Sequence, residues 1–377
     1  MALTSINLTP MNQRRLANFC SNRRGYWSFW VFITLFGLSL CAELIANDKP
    51  LIARYKGEFI FPALITYPPA KFGDDLIAYV DYRDPFISDE INKNGWMVFP
   101  LIPYSDTSQI KELVNLLPQN PPRSHPLPPT WALSVKDCQA VAVKKGGDGC
   151  SAIATNWLGT DGNARDVAAR LIYGFRISVI FGLTLTFFAS IIGVIAGAVQ
   201  GYFGGWTDLL MQRGIEIWSS IPTLYVLLIM SNFFQPGFWT LFAILMLFSW
   251  TALVHVVRAE FLRARNFEYV KAARALGLNN ITIMWRHILP NAMVATLTFL
   301  PFLINSSIST LTALDFLGLG MPAGSPSLGE LLLQARNNLQ APWLAISAFM
   351  VIATMLSLLI FIGEAVRDAF DPRKAFQ

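Results

Sequence analysis

RAEFLRARNFEYVKAARALGLNNITIMWRHILPN, Arg258 to Asn291, is basic, helical in its spacing and broken once, at Gly277. Phe261, Leu262, Tyr269, Val270, Ala273 and Leu276 form an apolar stripe that predicts one helix over Ala259–Leu276. Glycine is the favoured residue just past a helix end, and Asn279-Asn280 supplies a cap for a second, short helix through Leu289. Pro290-Asn291 is expected to turn the chain back toward the next apolar run. Runs of membrane length flank the stretch, Phe238–Val257 before it and Asn291–Leu314 after it. A charged helix–break–helix loop held between two spans is a docking surface for a soluble partner, by a helix-in-groove contact. An ordinary cytoplasmic loop is the plainer alternative.

The composition around it agrees with a membrane setting. Of 377 residues 54% are hydrophobic and 14% charged, against about 25% charged in soluble domains. Mean hydropathy is +0.44. The net charge of +5 does not imply nucleic acid, because Lys and Arg gather in loops between apolar runs, as cytoplasmic loops do. Residues 1–25, with Arg14, Arg15, Arg23 and Arg24 and no acid, read as a cytoplasmic tail, and 26–46 as a retained first span without a cleavage pattern.

Residues 47–157 form a proline-rich extracytoplasmic insert, with short strands expected within Phe59–Tyr67 and Trp96–Tyr104. Cys138 and Cys150 are either a disulfide, if the insert faces an oxidising compartment, or two free thiols. His125 reads as a surface histidine among prolines.

Residues 158–377 hold the membrane core. Asp161/Arg165 and Asp166/Arg170 sit at i,i+4 and are expected to pair on an interfacial helix, as a structural lead-in or a contact surface. The second span is Ile177–Val199, with a small-residue stripe Ala189, Gly193, Gly197 and Gly201 suited to close helix packing. The third is Met211–Phe234, kinked at Pro222, with Arg213 and Glu216 at its start. The fifth carries Asn305, Ser306 and Ser309, either interhelical bonding groups or a wet translocation path. An outer loop, Asp315–Pro342, with a short helix over Leu331–Leu339, leads to the sixth span, Trp343–Gly363. Six spans place both ends inside.

No catalytic constellation is found in the sequence. His125, His255 and His287 lie far apart, no metal-ligand spacing occurs, and no GxxxxGK[ST] loop cradles phosphates. The spans are nearly free of ionisable groups, which an ion-coupled carrier needs at membrane depth. Energy for transport would have to enter from outside the chain.

YVKAARALGLNNITIMWRHILPN resembles the EAA signature of ABC-importer permeases, in the form of the oligopeptide/dipeptide/nickel group. Lys271, Ala272, Ala273, then Gly277, then Arg286, His287, Ile288, Leu289, Pro290 and Asn291 carry the match; Lys271 stands where the general signature has Glu. LGTDGNARDVAARLIYGFRIS (158–178) is similar to the group's LGTDxxGRDVxxRxxxGxRxS motif, with Ala164 for the usual Gly. FLGLGMPAGSPSLG and RDAFDPR resemble its outer loop and C-terminus, and a long insert after the first span resembles the Yej-type peptide permeases linked with microcin C uptake. The resemblance implies an all-α type I importer permease fold in a bacterial inner membrane. It implies a second permease subunit, ABC ATP-binding subunits that hold ATP and Mg, a periplasmic binding protein that delivers peptide, and surrounding membrane lipid. It places the coupling segment at about Leu278–Leu289 and leaves this chain non-enzymatic and without a cofactor of its own. The alternatives are nickel as substrate, a membrane-anchored scaffold or receptor working through the insert, and an ion-coupled carrier.

Overall fold

The computed structural model describes residues 10–72, 80–110, 112–117, 124–145, 150, 155–322 and 324–371. Arg373, Lys374 and the end of the RDAFDPR motif lie outside them, as do Ala323 and part of the prolines before His125.

Helices α1 (Pro10–Ser21) and α2 (Arg23–Leu40) open the chain. Asn22 caps α2, accepting from the Gly25 N–H at 3.2 Å. Gly25 meets Ala365 so closely that no side chain fits between the two helices. After α3 (Ala42–Ile45) the insert begins with β1 (Ile52–Tyr55) and β2 (Glu58–Ile60), followed by α4 (Pro85–Asn94) and β3 (Gly95–Val98). The three strands make an antiparallel sheet in the order β2-β1-β3. Its inward face, Ala53, Tyr55 and Ile60, packs on Phe72, Tyr82, Ile87 and Ile91. The strands are shorter than the apolar segments that suggested them, ending before Pro62 and Pro100, since proline has no N–H for the ladder. Helices α5 (Glu112–Leu116) and α6 (Val135–Lys145) complete the insert, and Cys138 and Cys150 are joined by a disulfide.

The core follows: α7 (Val167–Phe203), α8 (Gly205–Ser219), α9 (Thr223–Met230), α10 (Phe238–Ser249), α11 (Thr251–Ala264), α12 (Glu268–Ala275), α13 (Asn280–Thr282), a π-helical turn Ile283–Ile288, α14 (Leu289–Phe316), α15 (Leu328–Asn337) and α16 (Pro342–Phe370). Among the described residues four helices are long and apolar enough to cross a membrane: Val167–Phe203, Phe238–Ala264, Asn280–Phe316 and Pro342–Phe370. The expected first span is α2, 18 residues with Arg23 and Arg24 at its start. The expected third is two shorter helices, α8 and α9, because Pro222 removes a hydrogen-bond donor and breaks the run rather than bending it.

Helix α7 is the centre of the bundle, packed on α11, α14, α15 and α16. The glycine stripe lies against α11. A Cβ at Gly193 would stand 2.7 Å from the Trp250 carbonyl, and one at Gly197 2.8 Å from that of Val254. Two clusters lie toward opposite ends of α7, called outer and inner after the topology expected from the sequence. The outer one joins Val167, Leu171 and Phe175 to Leu328, Leu344 and Met355. The inner one joins Tyr202 to Phe261, Val270, Ile283 and Ile288.

Two sequence expectations are corrected here. The loop helix expected over Ala259–Leu276 is two helices, α11 and α12, because the chain turns at Arg265–Phe267. Pro290-Asn291 does not turn the chain. Pro290 directly follows the π-helical turn Ile283–Ile288, which shifts the hydrogen-bond register where the proline lacks its N–H, so helix runs from Asn280 to Phe316.

Candidate coupling surface and outer network

At the inner end, α12 and the start of the Asn280–Phe316 helix form the two limbs of a hairpin around Gly277. Gly277 sits at φ +81°, a conformation glycine adopts freely, and its N–H returns to the Arg274 carbonyl at 3.0 Å. Asn279 caps the next limb, its Oδ1 accepting from Thr282 N–H at 2.8 Å. One face of each limb is buried: Val270, Ala273, Ile283 and Ile288 are at most 4% exposed. The opposite face is not. Leu276 (82%), Ile281 (75%) and Trp285 (71%) stand out beside Leu278. An exposed apolar tip on a capped hairpin is a surface shaped to enter a groove.

The signature residues spread over that hairpin. Lys271 pairs with Glu268 at 2.9 Å on the exposed side of α12. Ala272 is exposed and Ala273 buried, so the alanine pair marks the edge of the packed face. Arg286 is exposed, while His287 and Leu289 are half-buried in the limb that enters the bundle. Asn291 Nδ2 donates to Tyr269 Oη at 3.3 Å and ties α14 to α12.

At the outer end the lead-in motif is not an interfacial helix with i,i+4 pairs. Asp161 and Arg165 lie in a turn before α7. Asp161 Oδ1 accepts the N–H groups of Asn163 and Arg165 at 2.9 and 2.8 Å, while the Arg165 guanidinium donates to the Gly324 carbonyl at 2.7 Å. Asp166 is the N-cap of α7, accepting from Ala169 N–H at 2.8 Å. Burial pushes the Asp166 carboxyl up to about 6, against the lowering effect of its backbone hydrogen bonds. Arg170, fully buried, reaches past Asp166 to pair with Asp161 at 3.3 Å and Glu330 at 2.7 Å, and donates to the Ser325 carbonyl at 2.6 Å. Ala164 stands at φ +66°, the left-handed region, which explains a glycine preference at that place in the motif.

These contacts fasten the start of α7 to α15 and to the loop after α14. Gln334 continues the net, bonding Gly162 N–H at 2.9 Å and Glu330 at 3.1 Å. A polar cavity of about 370 Å³ lies beside it, lined by Asn163, Asp315, Ser327, Glu330, Gln334 and Asn338. His125 is not a surface residue. It is half-buried, with Nδ1 2.8 Å from Thr160 Oγ1, and joins the insert to the motif. Burial lowers its pKa.

Between the two ends, Ser306 is exposed on α14 and Asn305 and Ser309 are half-buried. The buried partner in that run is Ser307, 3.3 Å from Thr186 of α7. A mainly apolar groove of about 550 Å³ runs between α7 and α14, lined by Thr186, Ser190, Ile191, Trp285, Thr296 and Ile304. Arg213 and Glu216 pair with each other at 2.6 Å on exposed α8. Sequence reasoning read Asn280 only as part of a helix cap and passed over Tyr202 and Arg274, which meet it at the inner end, and Glu330 and Gln334, which complete the outer net. No spacing rule links residues so far apart; only their charge or polarity near span ends could have singled them out.

Residues 189–376 match the family described as binding-protein-dependent transport system inner membrane component. The chain is 61% identical over 370 residues to the peptidoglycan transport system permease protein YejE of Agrobacterium fabrum, covering 98% of this chain and 95% of that protein. The chain belongs to the binding-protein-dependent inner-membrane permease family. A second relative is the inner membrane ABC transporter permease protein YejE of Escherichia coli, 55% identical over 98% of this chain and 99% of its own. The oligopeptide transport system permease protein OppC of Lactococcus lactis is 33% identical over 58% of this chain and 76% of its own. Among solved structures, the permease is similar to a chain of the MetNI methionine ABC transporter in an inward-facing conformation, with TM-score 0.47, 17% identity, and coverage of 54% of this chain and 96% of that one. The helical membrane core with a small mixed insert is seen in the structure itself, and the role of an inner-membrane transport component rests on the family match and the YejE relatives.

Proposed function

We propose that this permease carries peptides or peptide-like compounds inward across the bacterial inner membrane, driven by ABC ATP-binding subunits that seat on the hairpin around Gly277. The observation that carries this reading is the exposed apolar tip, Leu276 at the end of α12 and Ile281 and Trp285 on the other limb, which is itself the start of a 37-residue helix through the bundle. A force on the tip is thereby a force on the transmembrane path. The peptide assignment is supported by the relatives named for peptidoglycan and oligopeptide transport. In this reading a second permease subunit completes the path, a periplasmic binding protein delivers the substrate to the outer net of Asp161, Asp166 and Arg170, and both chain ends lie in the cytoplasm. ATP and Mg are held by the ATP-binding subunits, and this chain performs no catalysis. Asn305, Ser306 and Ser309 face the translocation path.

Gly277→Pro tests the docking role. Proline holds φ near −65°, far from the +81° found here. The variant is expected to remain in the membrane, lose the ATP-binding subunit on co-purification and abolish uptake, as is deletion of 278–286. Continued uptake with either lesion overturns the reading.

A further inference from the structure

We propose that Tyr202 is the joint through which the hairpin moves α7, and so the outer net. Tyr202 lies in the last turn of α7 and is 4% exposed. Its hydroxyl donates to Asn280 Oδ1 at 2.7 Å and accepts from Arg274 Nη2 at 3.4 Å. The Arg274 guanidinium also lies over the Tyr202 ring, 5.6 Å from its centroid. Arg274 and Asn280 stand on opposite sides of Gly277, so this one side chain holds both limbs of the hairpin. One residue earlier, the Gly201 carbonyl accepts from Arg265 Nη1 at 3.5 Å.

The other end of α7 is fixed just as firmly. Asp166 caps it, and Arg170 joins it to Asp161, Glu330 and Ser325. Between the ends α7 is one helix of 37 residues, about 55 Å long at ~1.5 Å per residue. A continuous helix gripped at both ends transmits displacement as a rigid rod. Hydrogen bonds at a half-buried joint, held by the buried Tyr202 side chain, are directional and fail when one partner is removed.

The proposal rests on the hairpin being the seat of an ATP-binding subunit, and its test keeps the two apart. The intact complex, in nanodiscs, is followed by hydrogen exchange of the outer segment 315–341, with and without ATP, Mg and vanadate. Tyr202→Phe keeps the ring, its packing and its stacking on Arg274 but loses the hydroxyl. We expect this variant to hydrolyse ATP and retain the ATP-binding subunit, while the ATP-dependent change in outer exchange falls about fivefold, the effect of one typical hydrogen bond. Asn280→Ala breaks the same bond from its other side, and the double variant should be no worse than either single one. An unchanged outer response in Tyr202→Phe overturns the proposal. So does a response that falls only in step with loss of the bound ATP-binding subunit, for Tyr202 is then merely a brace for the tip. If Gly277→Pro leaves the subunit bound and uptake intact, the docking reading itself has failed. If Gly277→Pro blocks both while Tyr202→Phe has no effect, the joint alone has failed.

Discussion

Asp166 shows how one buried atom sets local behaviour. Its Oδ1 caps α7 through Ala169, while burial raises the carboxyl to about 6 from the ordinary 3.8. Between those values the folded protein retains a proton that the unfolded chain has released. Stability contributed by the group therefore falls as pH rises through that window. Asp166→Asn keeps a cap oxygen and removes the titration. Its thermal unfolding midpoint, compared with wild type from about pH 4 to pH 6, should gain on wild type as pH rises. Asp166→Ala should lose ~1 kcal/mol near pH 4, the typical effect of removing a cap, and the deficit should shrink as pH rises because this variant also lacks the titration. Ala164 gives the converse case. Ala164→Gly relieves a left-handed alanine at φ +66° and should stabilise the protein by roughly 1 kcal/mol in the same assay.

At the scale of elements, the α7–α11 contact depends on glycine being the residue at each crossing. A Cβ at Gly197 meets the Val254 carbonyl and the Val257 Cβ, both at 2.8 Å, and neither is a flexible group that can swing aside. Gly197→Val should force the helices apart and lower stability by about 1–3 kcal/mol, read as a drop in the unfolding midpoint of the solubilised protein. The stripe was legible from the sequence, because spacing by four residues places groups on one face. Its partner was not, because any of several helices could have filled it. Nor was the break at Pro222 legible as a break. Proline bends a span whose freed carbonyl finds another donor and interrupts one where it does not, and that depends on neighbours.

For the whole molecule, the proposed function divides between two distant surfaces. The tip presents Ile281, 75% exposed and without a role in the packed core. Ile281→Asp should leave the protein folded and in the membrane yet weaken capture of the ATP-binding subunit by ~30-fold, the effect of losing a central apolar anchor. Titrating the isolated ATP-binding subunit onto the permease in nanodiscs measures it. At the outer end, Arg170 compensates two carboxylates in a buried site. Arg170→Ala leaves Asp161 buried and unpaired and should lower stability by about 3–5 kcal/mol, with partial recovery in Arg170→Met/Asp161→Asn.

The sequence by itself determined the membrane class, the long apolar runs, the exclusion of a phosphate loop, the helix break at Gly277 and its Asn279 cap. Each of these is local: hydropathy, spacing and turn chemistry act within about one helix length. The basic hairpin with which the sequence reading began was recognisable for the same reason, as was its resemblance to ABC-importer permeases. The tertiary structure alone decided that the hairpin runs unbroken into α14, that Asp161 pairs with Arg170 rather than with the side chain of Arg165, and that His125 is half-buried. It alone brought Tyr202 to Arg274 and Asn280, 72 and 78 residues further along the chain. Contacts of that separation depend on how the helices pack, and helix packing is fixed by the shapes of several faces together, not by the pattern along any one of them.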